Sequence, residues 1–465
     1  MEDEAALSGK YMAYPEYKDS GVEWLSYVPA TWLTTRSKFL FDFVTSGSRG
    51  WGEHYSDDGS FFFRITNLTR DTIEPKLEDI KCVKPPFGSE GERAKIKKND
   101  LLISITADLG SVCVATEDIV DGYVSQHVSL CRPNSKVVSA RWLGYYILSN
   151  VAKEQFLGSG YGGTKMQLSL EDVRELWVVK PSEEEQQKIA NFLDHETAKI
   201  DTLIEKQQQL IALLKEKRQA VISHAVTKGL QPNVPMRDSG VEWLGEVPEH
   251  WVVCKIKQVA KLESGHTPDK KIESYWVDCD IPWVSLNDST QLKQVDYITE
   301  TAFYLNEKGI ENSSARKLPA RCVVFTRDAS IGLAAITTKV MAVSQHVIAW
   351  VCDEEKVNPE YLLLIFYAMK DELDRYTAGA TLKTIGLPDV NKLSGGFPDT
   401  GEQKKIIKHV FSETKKFDLL IAKSELAVGI IKERRTALIS EAVTGKIDVR
   451  NWQDPSLIGS VDEVK

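Results

Sequence analysis

"DSGVEWL" fills residues 19–25, and the same seven letters return at 238–244. The offset is 238 − 19 = 219, close to half of a 465-residue chain. Followed along the chain, it keeps finding partners: "VPATW" (28–32) meets "VPEHW" (247–251), and "VSQH" (124–127) meets "VSQH" (343–346). Further on two residues are lost and the offset becomes 217. "GGTKMQLSLEDV" (162–173) then meets "GATLKTIGLPDV" (379–390), and "EEQQKI" (184–189) meets "GEQKKI" (401–406). "KRQAVISHAVTKG" (217–229) meets "RRTALISEAVTGK" (434–446). The chain is a tandem duplication, with a period far too long for a solenoid. Between the shared blocks the halves part: "TSGSRGWGEHYSDDG" (45–59) and "ESGHTPDKKIESYWV" (263–277) hold equivalent places and share little. One scaffold presenting two different recognition surfaces fits that pattern. Trp24 and Trp243, sixth in each copy of the repeated heptapeptide, are expected to anchor the core.

Each half closes on a long helix. Ser182 and Glu185 have the spacing of a capping box, acidic residues crowd the first turn, and Gly229 stands where a C-terminal stop belongs. Positions 189, 193, 196, 200, 203, 207, 210, 214, 217 and 221 step by alternating fours and threes. They read Ile, Leu, Glu, Ile, Leu, Gln, Leu, Leu, Lys, Val. Adding 217 gives Ile406, Val410, Glu413, Phe417, Leu420, Ser424, Ala427, Ile431, Arg434 and Leu438, after an Asp399/Glu402 start. A seam of period 3.5 calls for a partner helix. The other copy, antiparallel across a pseudo-twofold axis, is one candidate; each copy's own domain is the other. About 45 residues at ~1.5 Å each would make a rod of roughly 65 Å.

Short apolar runs such as "DLLISITA" (100–107) and "CVVFTRD" (322–328) predict strands. "SARWLGYYILSNVAKEQF" (139–156) and "NPEYLLLIFYAMKDELDRY" (358–376) predict amphipathic helices. The expected fold class is α+β: two tandem mixed α/β domains joined by two long antiparallel coiled-coil helices with pseudo-twofold symmetry. The expected divisions are an N-terminal segment (1–32), a first variable domain (33–180), the central helix (181–230), the repeated segment (231–251), a second variable domain (252–397), the last helix (398–446) and a tail (447–465).

Hydrophobic residues make up 42% and charged residues 27%, as in a soluble globular protein. No apolar run reaches the ~18 residues that span a bilayer, and the acidic start lacks the features of a signal peptide. A cytoplasmic protein without membrane contact is expected. The seven cysteines contain no C-x-x-C, which suggests neither a zinc site nor a disulfide framework. A net charge of −9 argues against a surface that is basic throughout. It leaves room for a local basic cleft, because charges act within ~8–10 Å at ordinary salt.

Enzyme motifs are incomplete. "VKPPFG" (83–88) has Lys84 where an amino-methyltransferase motif of the NPPF type needs Asn, and no Gly-rich cofactor turn accompanies it. "GSGYGGTK" (158–165) imitates a phosphate loop without its G-K-[ST] ending; it reads equally as a turn or as a phosphate grip. The Asp-x-Lys of "EDIK" (78–81) has no partner acid, and the second copy lacks it. His127 and His346 of "SQH" have no visible nucleophile beside them.

The order of motifs is specific. "SGVEWLGEVPEHW" is followed by a turn with Ser264, Gly265, Thr267 and Pro268, then "IPWVSLND" and a strand ending in an "IG" turn. "SQHV", "AGATLKTI", "GEQKKI" and "ALISEAVTGKI" complete the half. Written twice, over about residues 14–446, this resembles the specificity subunit of a type I restriction–modification system. The first copy departs at its opening turn, "TSGSRGW" (45–51). The resemblance implies a non-catalytic adaptor whose two variable domains are target recognition domains, each reading half of a split site in double-stranded DNA, with the helices as spacer. It implies two methyltransferase subunits docked on the helical framework, and restriction subunits that drive translocation. S-adenosylmethionine, ATP and Mg would belong to those partners, with no cofactor on this chain. A self-contained DNA methyltransferase or nuclease and a non-enzymatic coiled-coil scaffold are the alternatives. The first would need a complete cofactor or metal site; the second leaves the divergence of matched loops unexplained.

Major-groove reading calls for forked donors and acceptors. Loops that differ between the copies supply the candidates: Ser46, Ser48, Arg49, Trp51, Arg64, Asn67, Arg70, Lys165 and Gln167 in the first domain. In the second they are His266, Thr267, Lys270, Lys271, Trp283, Ser285, Asn287, Arg327 and Lys383.

Overall fold

The structure is a computed structural model and describes residues 11–85, 88–159, 167–377 and 383–455. It divides into two units, one of residues 1–207 with 426–465 and one of residues 208–425. Both long helices cross the division: Glu183–Lys228 and Thr400–Thr444 each give one part to each unit. Among the described residues no helix is long and apolar enough to cross a membrane.

Each unit is built on an antiparallel sheet. In the first unit Phe41–Ser46 pairs with Val128–Pro133, which pairs with Leu101–Ser104, which pairs with Val112–Val114. In the second, Ala260–Ser264, Val347–Cys352, Val323–Thr326 and Ala334–Thr337 repeat that order, with Tyr297–Ile298 added in parallel. Leu101–Ser104 and Val323–Thr326 are buried along their whole length, which explains why they read as continuous apolar runs. The helices Ala140–Leu148 and Pro359–Ala368 cover one face of their sheets with residues such as Trp142, Tyr146, Leu362 and Phe366. A smaller sheet packs against each large one. It pairs Ser60–Phe63 with Tyr123–Val124 in the first unit and Ile281–Val284 with Ala342–Val343 in the second, both in parallel.

The repeated heptapeptide forms the same turn twice. Asp19 and Asp238 accept from the N–H of Gly21 and Gly240, at 2.9 Å each, and both glycines have φ near +70°. Leu25 and Leu244 are buried. The expectation that its tryptophans anchor the core fails in the first copy, where Trp24 is 50% exposed. Trp243 is half-buried and donates to the Ser394 carbonyl at 3.1 Å. The anchors are instead Trp32 and Trp251, of "VPATW" and "VPEHW", at 0% and 1% exposure. Each indole N–H donates at 3.2 Å to a glutamate in the first turn of a long helix, Glu185 or Glu402. A buried indole needs such an acceptor, and a helix N-terminus favours the carboxylate that provides it.

The helix seam also needs correction. Leu193, Ile200, Gln207, Leu214 and Val221 are buried or half-buried as expected, as are their partners 217 residues on. Of the alternate positions, Ile189, Glu196, Ile406, Glu413 and Ala427 are buried or half-buried too, but at the others the row is shifted by one. Leu203, Leu210 and Leu420 are 51%, 42% and 47% exposed, and Lys217 and Arg434 are exposed. Thr197, Ile204, Ile211 and Arg218 take that row, with Thr414, Ile421, Val428 and Arg435 in the second helix. In the first unit Arg435 pairs with Asp201 at 2.9 Å; in the second, Arg218 pairs with Asp418 at 2.7 Å. Both partners of the two pairs are 217 residues apart. Thr197 and Thr414 turn their hydroxyls back to the carbonyls of Leu193 and Val410. A seam that includes paired arginines and self-satisfied threonines escapes a reading by hydrophobicity. Further contacts join the same stretches within each unit: Lys188 reaches the Arg450 carbonyl in the first, and Lys215 reaches Glu425 in the second.

Candidate nucleic-acid interface

The site begins where the first strand of each large sheet ends. A Cβ on Gly47 would lie 1.9 Å from the Val124 carbonyl oxygen, and one on Gly265 would lie 1.6 Å from that of Val343. Only glycine allows this crossing, and it fixes the start of the opening loop in both copies. Ser46 ends the strand opposite Ser129 and is half-buried. Beyond the crossing, Ser48 is half-buried and Arg49 exposed. In the second copy His266, Lys270 and Lys271 are exposed and Thr267 is half-buried.

A second wall lies beside the loop. Ile105 N–H donates to the His127 carbonyl at 3.1 Å, and Arg327 N–H to that of His346 at 3.0 Å. Leu168 and Ile385 donate back to the carbonyls of Ile105 and Arg327, at 2.9 Å each. Thr106 bridges to Gln167, and Asp328 to Thr384. Ala107 and Ala329 share a positive φ of 60° and 61°. The backbone is thus the same, and the side chains are not.

In the second copy those side chains join into one network. Thr267 donates its hydroxyl to the Gln345 Oε1, and Gln345 Nε2 lies 3.1 Å from His346 Nε2. His346 Nδ1 lies 2.6 Å from Asp328 Oδ2, and the Thr384 hydroxyl donates to Asp328 Oδ1. In this amide orientation the Gln345 nitrogen donates to His346 Nε2, which assigns Nδ1 as the donor to the carboxylate. The relay ties the opening loop to residue 384. The first copy holds Gln126 Nε2 3.2 Å from His127 Nε2, with Thr106 in the place of Asp328. Asp328, Gln345 and Thr384 were missed in the sequence, because no single motif contains them and their partners are up to 78 residues away.

The remaining candidates divide by exposure. Arg70, Gln167, Asn287 and Lys383 are exposed, with Arg70 paired to Asp108. Arg64 is half-buried and pairs with Asp79 at 2.7 Å, which holds that carboxyl below its ordinary range. Arg327 is half-buried, 3.9 Å from Asp328. Lys165 lies outside the described residues. Four candidates are structural. Trp51 is 2% exposed and stacks on Phe62 at 5.9 Å. Asn67 is 1% exposed, accepts from Arg64 N–H and donates to the Lys76 and Asp79 carbonyls. Ser285 is 3% exposed and caps a short helical turn together with Asp288. Trp283 is 3% exposed and donates to the His266 carbonyl at 3.2 Å, supporting the loop from beneath.

Comparison with known proteins gives a consistent result. The family model for the type I restriction modification DNA specificity domain matches twice, at residues 87–213 and 248–425. The type I restriction enzyme MjaVIII specificity subunit of Methanocaldococcus jannaschii is 24% identical over 406 residues, 85% of this chain and 88% of that protein. The HindI specificity subunit of Haemophilus influenzae is 23% identical, covering 58% of this chain and 69% of its own length. The MjaIX specificity subunit of M. jannaschii is 28% identical over 165 residues, and the chain spans only 38% of that relative. Among solved structures, a chain from a study of assembly and conformational transition in the type I R-M system superimposes with a TM-score of 0.69. It is 14% identical, over 90% of this chain and 99% of that one. The HsdS subunit of Thermoanaerobacter tengcongensis, also 14% identical, gives a TM-score of 0.51 over 90% of this chain and 98% of its own.

Proposed function

Because the chain belongs to the family of type I restriction modification DNA specificity domains and carries that domain twice, we propose that it is the DNA-recognition subunit of a type I restriction–modification complex. It reads a split site in double-stranded DNA, one half with residues 33–180 and the other with residues 252–397. The exposed loop residues Arg49, Arg70, Gln167, His266, Lys270, Lys271, Asn287 and Lys383 are the candidates for base and phosphate contact. The long helices form an antiparallel coiled coil with pseudo-twofold symmetry and set the distance between the half-sites.

The observation that carries this reading is the identical backbone at residues 105–106 and 327–328, dressed with different side chains. Two equal frames with unequal contents suit two different DNA sequences. The groove at the repeated heptapeptide supports equal partners as well. In the first unit Trp24, Tyr27, Val151 and Thr444 line a surface groove; in the second, Trp243, Thr227, Met369 and Arg375 line its counterpart. Two copies of one methyltransferase subunit dock there, and restriction subunits join through them. The chain contributes no catalytic residue and acts in the cytoplasm. S-adenosylmethionine, ATP and Mg are bound by the partners.

The test is to express the chain with a cognate methyltransferase subunit and map modified adenines across the host genome. A single motif of two short halves with a fixed gap is the expected result. An assembled complex that adds no methylation would overturn the reading.

A further inference from the structure

The two small sheets share one register and differ in what covers it. Phe62 pairs in parallel with Tyr123, and Trp283 pairs in parallel with Ala342. In the first copy the opening loop folds back four residues after its pinned glycine and lays Trp51 over Phe62, with the rings 20° from parallel. Tyr123 closes the other side, 5.4 Å from Trp51. In the second copy the residue four places after Gly265 is Asp269, and the place of Tyr123 belongs to Ala342. Neither ring thus has a counterpart at its own place above Trp283, and Trp276, from further along the chain, supplies a ring contact instead. The space is a cavity of about 610 Å³, walled by Trp276, Trp283, Phe303 and Tyr304, with Asn287 and Lys270 supplying polar groups. Trp276 meets Trp283 edge to face at 5.7 Å and leaves the space open. Phe303 is 47% exposed beside it.

The geometry points to a nucleobase-binding site: the cavity of the second domain receives an unstacked base in the position that Trp51 fills in the first. This inference rests on the DNA-recognition reading and gives that site a ligand. Aromatic walls stack any base face. The Asn287 amide nitrogen donates to the Ser285 hydroxyl at 3.4 Å; its second N–H and its oxygen offer the paired donor and acceptor that match an adenine edge, and Lys270 offers charge for the attached phosphate. The same chemistry would take a free nucleoside, so the experiment separates the two sources.

The full chain with its methyltransferase partner is bound to a duplex carrying the mapped motif. 2-Aminopurine replaces, one at a time, the bases of the half-site read by the second domain. Ala302→Trp plugs the cavity; Ala302 is exposed and is held through its backbone N–H to Asp288 at 2.7 Å, so the plug leaves the fold's hydrogen bonds in place. One position should report unstacking on binding to the wild-type chain and not to the plugged one, and the plug should weaken binding about tenfold, the scale of one lost base–aromatic stack. In a second arm, free deoxynucleosides are tested for protection of Cys279, on the cavity wall, against alkylation. A flat 2-aminopurine scan with Cys279 protected by nucleosides means that the base comes from solution. Selective duplex binding with a flat scan and no protection overturns the site. Loss of all selective binding in the wild-type chain would instead overturn the DNA-recognition reading itself, and the nucleoside arm alone would then decide the cavity.

Discussion

The two variable domains share main-chain hydrogen bonds at residues 105–106 and 327–328 and differ there in their side chains. Ile105 and Arg327 make the same pair of main-chain hydrogen bonds, to residues 127 and 168 in one copy and 346 and 385 in the other. Ile105 is 8% exposed and apolar, while Arg327 is half-buried and charged. Thr106 stands in the first copy where the second has Asp328, and Gln167 where the second has Thr384. Where main-chain bonds hold the frame, side chains can change without moving it. The difference between the copies is thus one of content, and each copy serves as the other's control.

The largest effect separates anchor from surface. Trp32→Ala and Trp251→Ala should each cost about 3–5 kcal/mol, the usual result of emptying a buried aromatic site. Trp24→Ala should cost less than about 1 kcal/mol. Denaturant titration of the three variants checks this, and equal losses would erase the distinction drawn between the two tryptophans. Next comes the glycine crossing. Gly265→Ala should abolish recognition by the second domain and leave the first intact, and Gly47→Ala should do the reverse. Methylation of duplexes with one half-site altered at a time would reveal a shared effect, if there is one.

A smaller change is expected from Asp328→Asn. The His346 Nδ1–H loses its carboxylate, and discrimination at one half-site should fall about tenfold, a single charge-assisted hydrogen bond's worth. The first half-site, whose frame holds Thr106 in that place, should be unaffected. The smallest effect depends on pH. Burial, the largest single influence, raises the Glu360 carboxyl, but the bonds and charge of Arg321, its own backbone N–H and the Tyr297 hydroxyl together outweigh it and hold the group below its ordinary value of 4.5. Its contribution is therefore complete above pH 4.5 and is lost as pH falls through the lowered value. Burial keeps Asp100 above 3.8 despite Arg132, so its ionisation opposes folding and that penalty fades as pH falls. Glu360→Gln should flatten the acid limb of the melting curve. An unchanged limb would mean that other carboxylates dominate it.

Much of the architecture was legible because duplication doubles every signal. A strand or helix proposed in one half could be checked 217–219 residues away, and the long helices with their starts at Ser182 and Asp399 followed directly. What escaped had physical causes. The heptapeptide's identity drew attention to Trp24, but Asp19, Gly21 and Leu25 account for its turn and its core contact, and the buried indole is Trp32. The seam was displaced by one residue because Arg218 and Arg435 lie in it with partners on the opposite helix. At the site, residue type could not separate a base reader from a cap. Asn67 and Ser285 have the right chemistry for DNA and spend it on their own backbone. The Thr267–Gln345–His346–Asp328–Thr384 relay spans four separate stretches of chain, and only the fold brings them together.

Gly47 and Gly265 also separate what inheritance must preserve from what it is free to alter. Each holds the start of its loop against a carbonyl, and the chain does not re-enter the interior until Trp51 or Pro268. Apart from Thr267, which is tied to Gln345, a mutation in that short interval spares the buried packing and changes what the loop presents. On the proposed reading, one half's loop can be rewritten in this way while the other half's is kept.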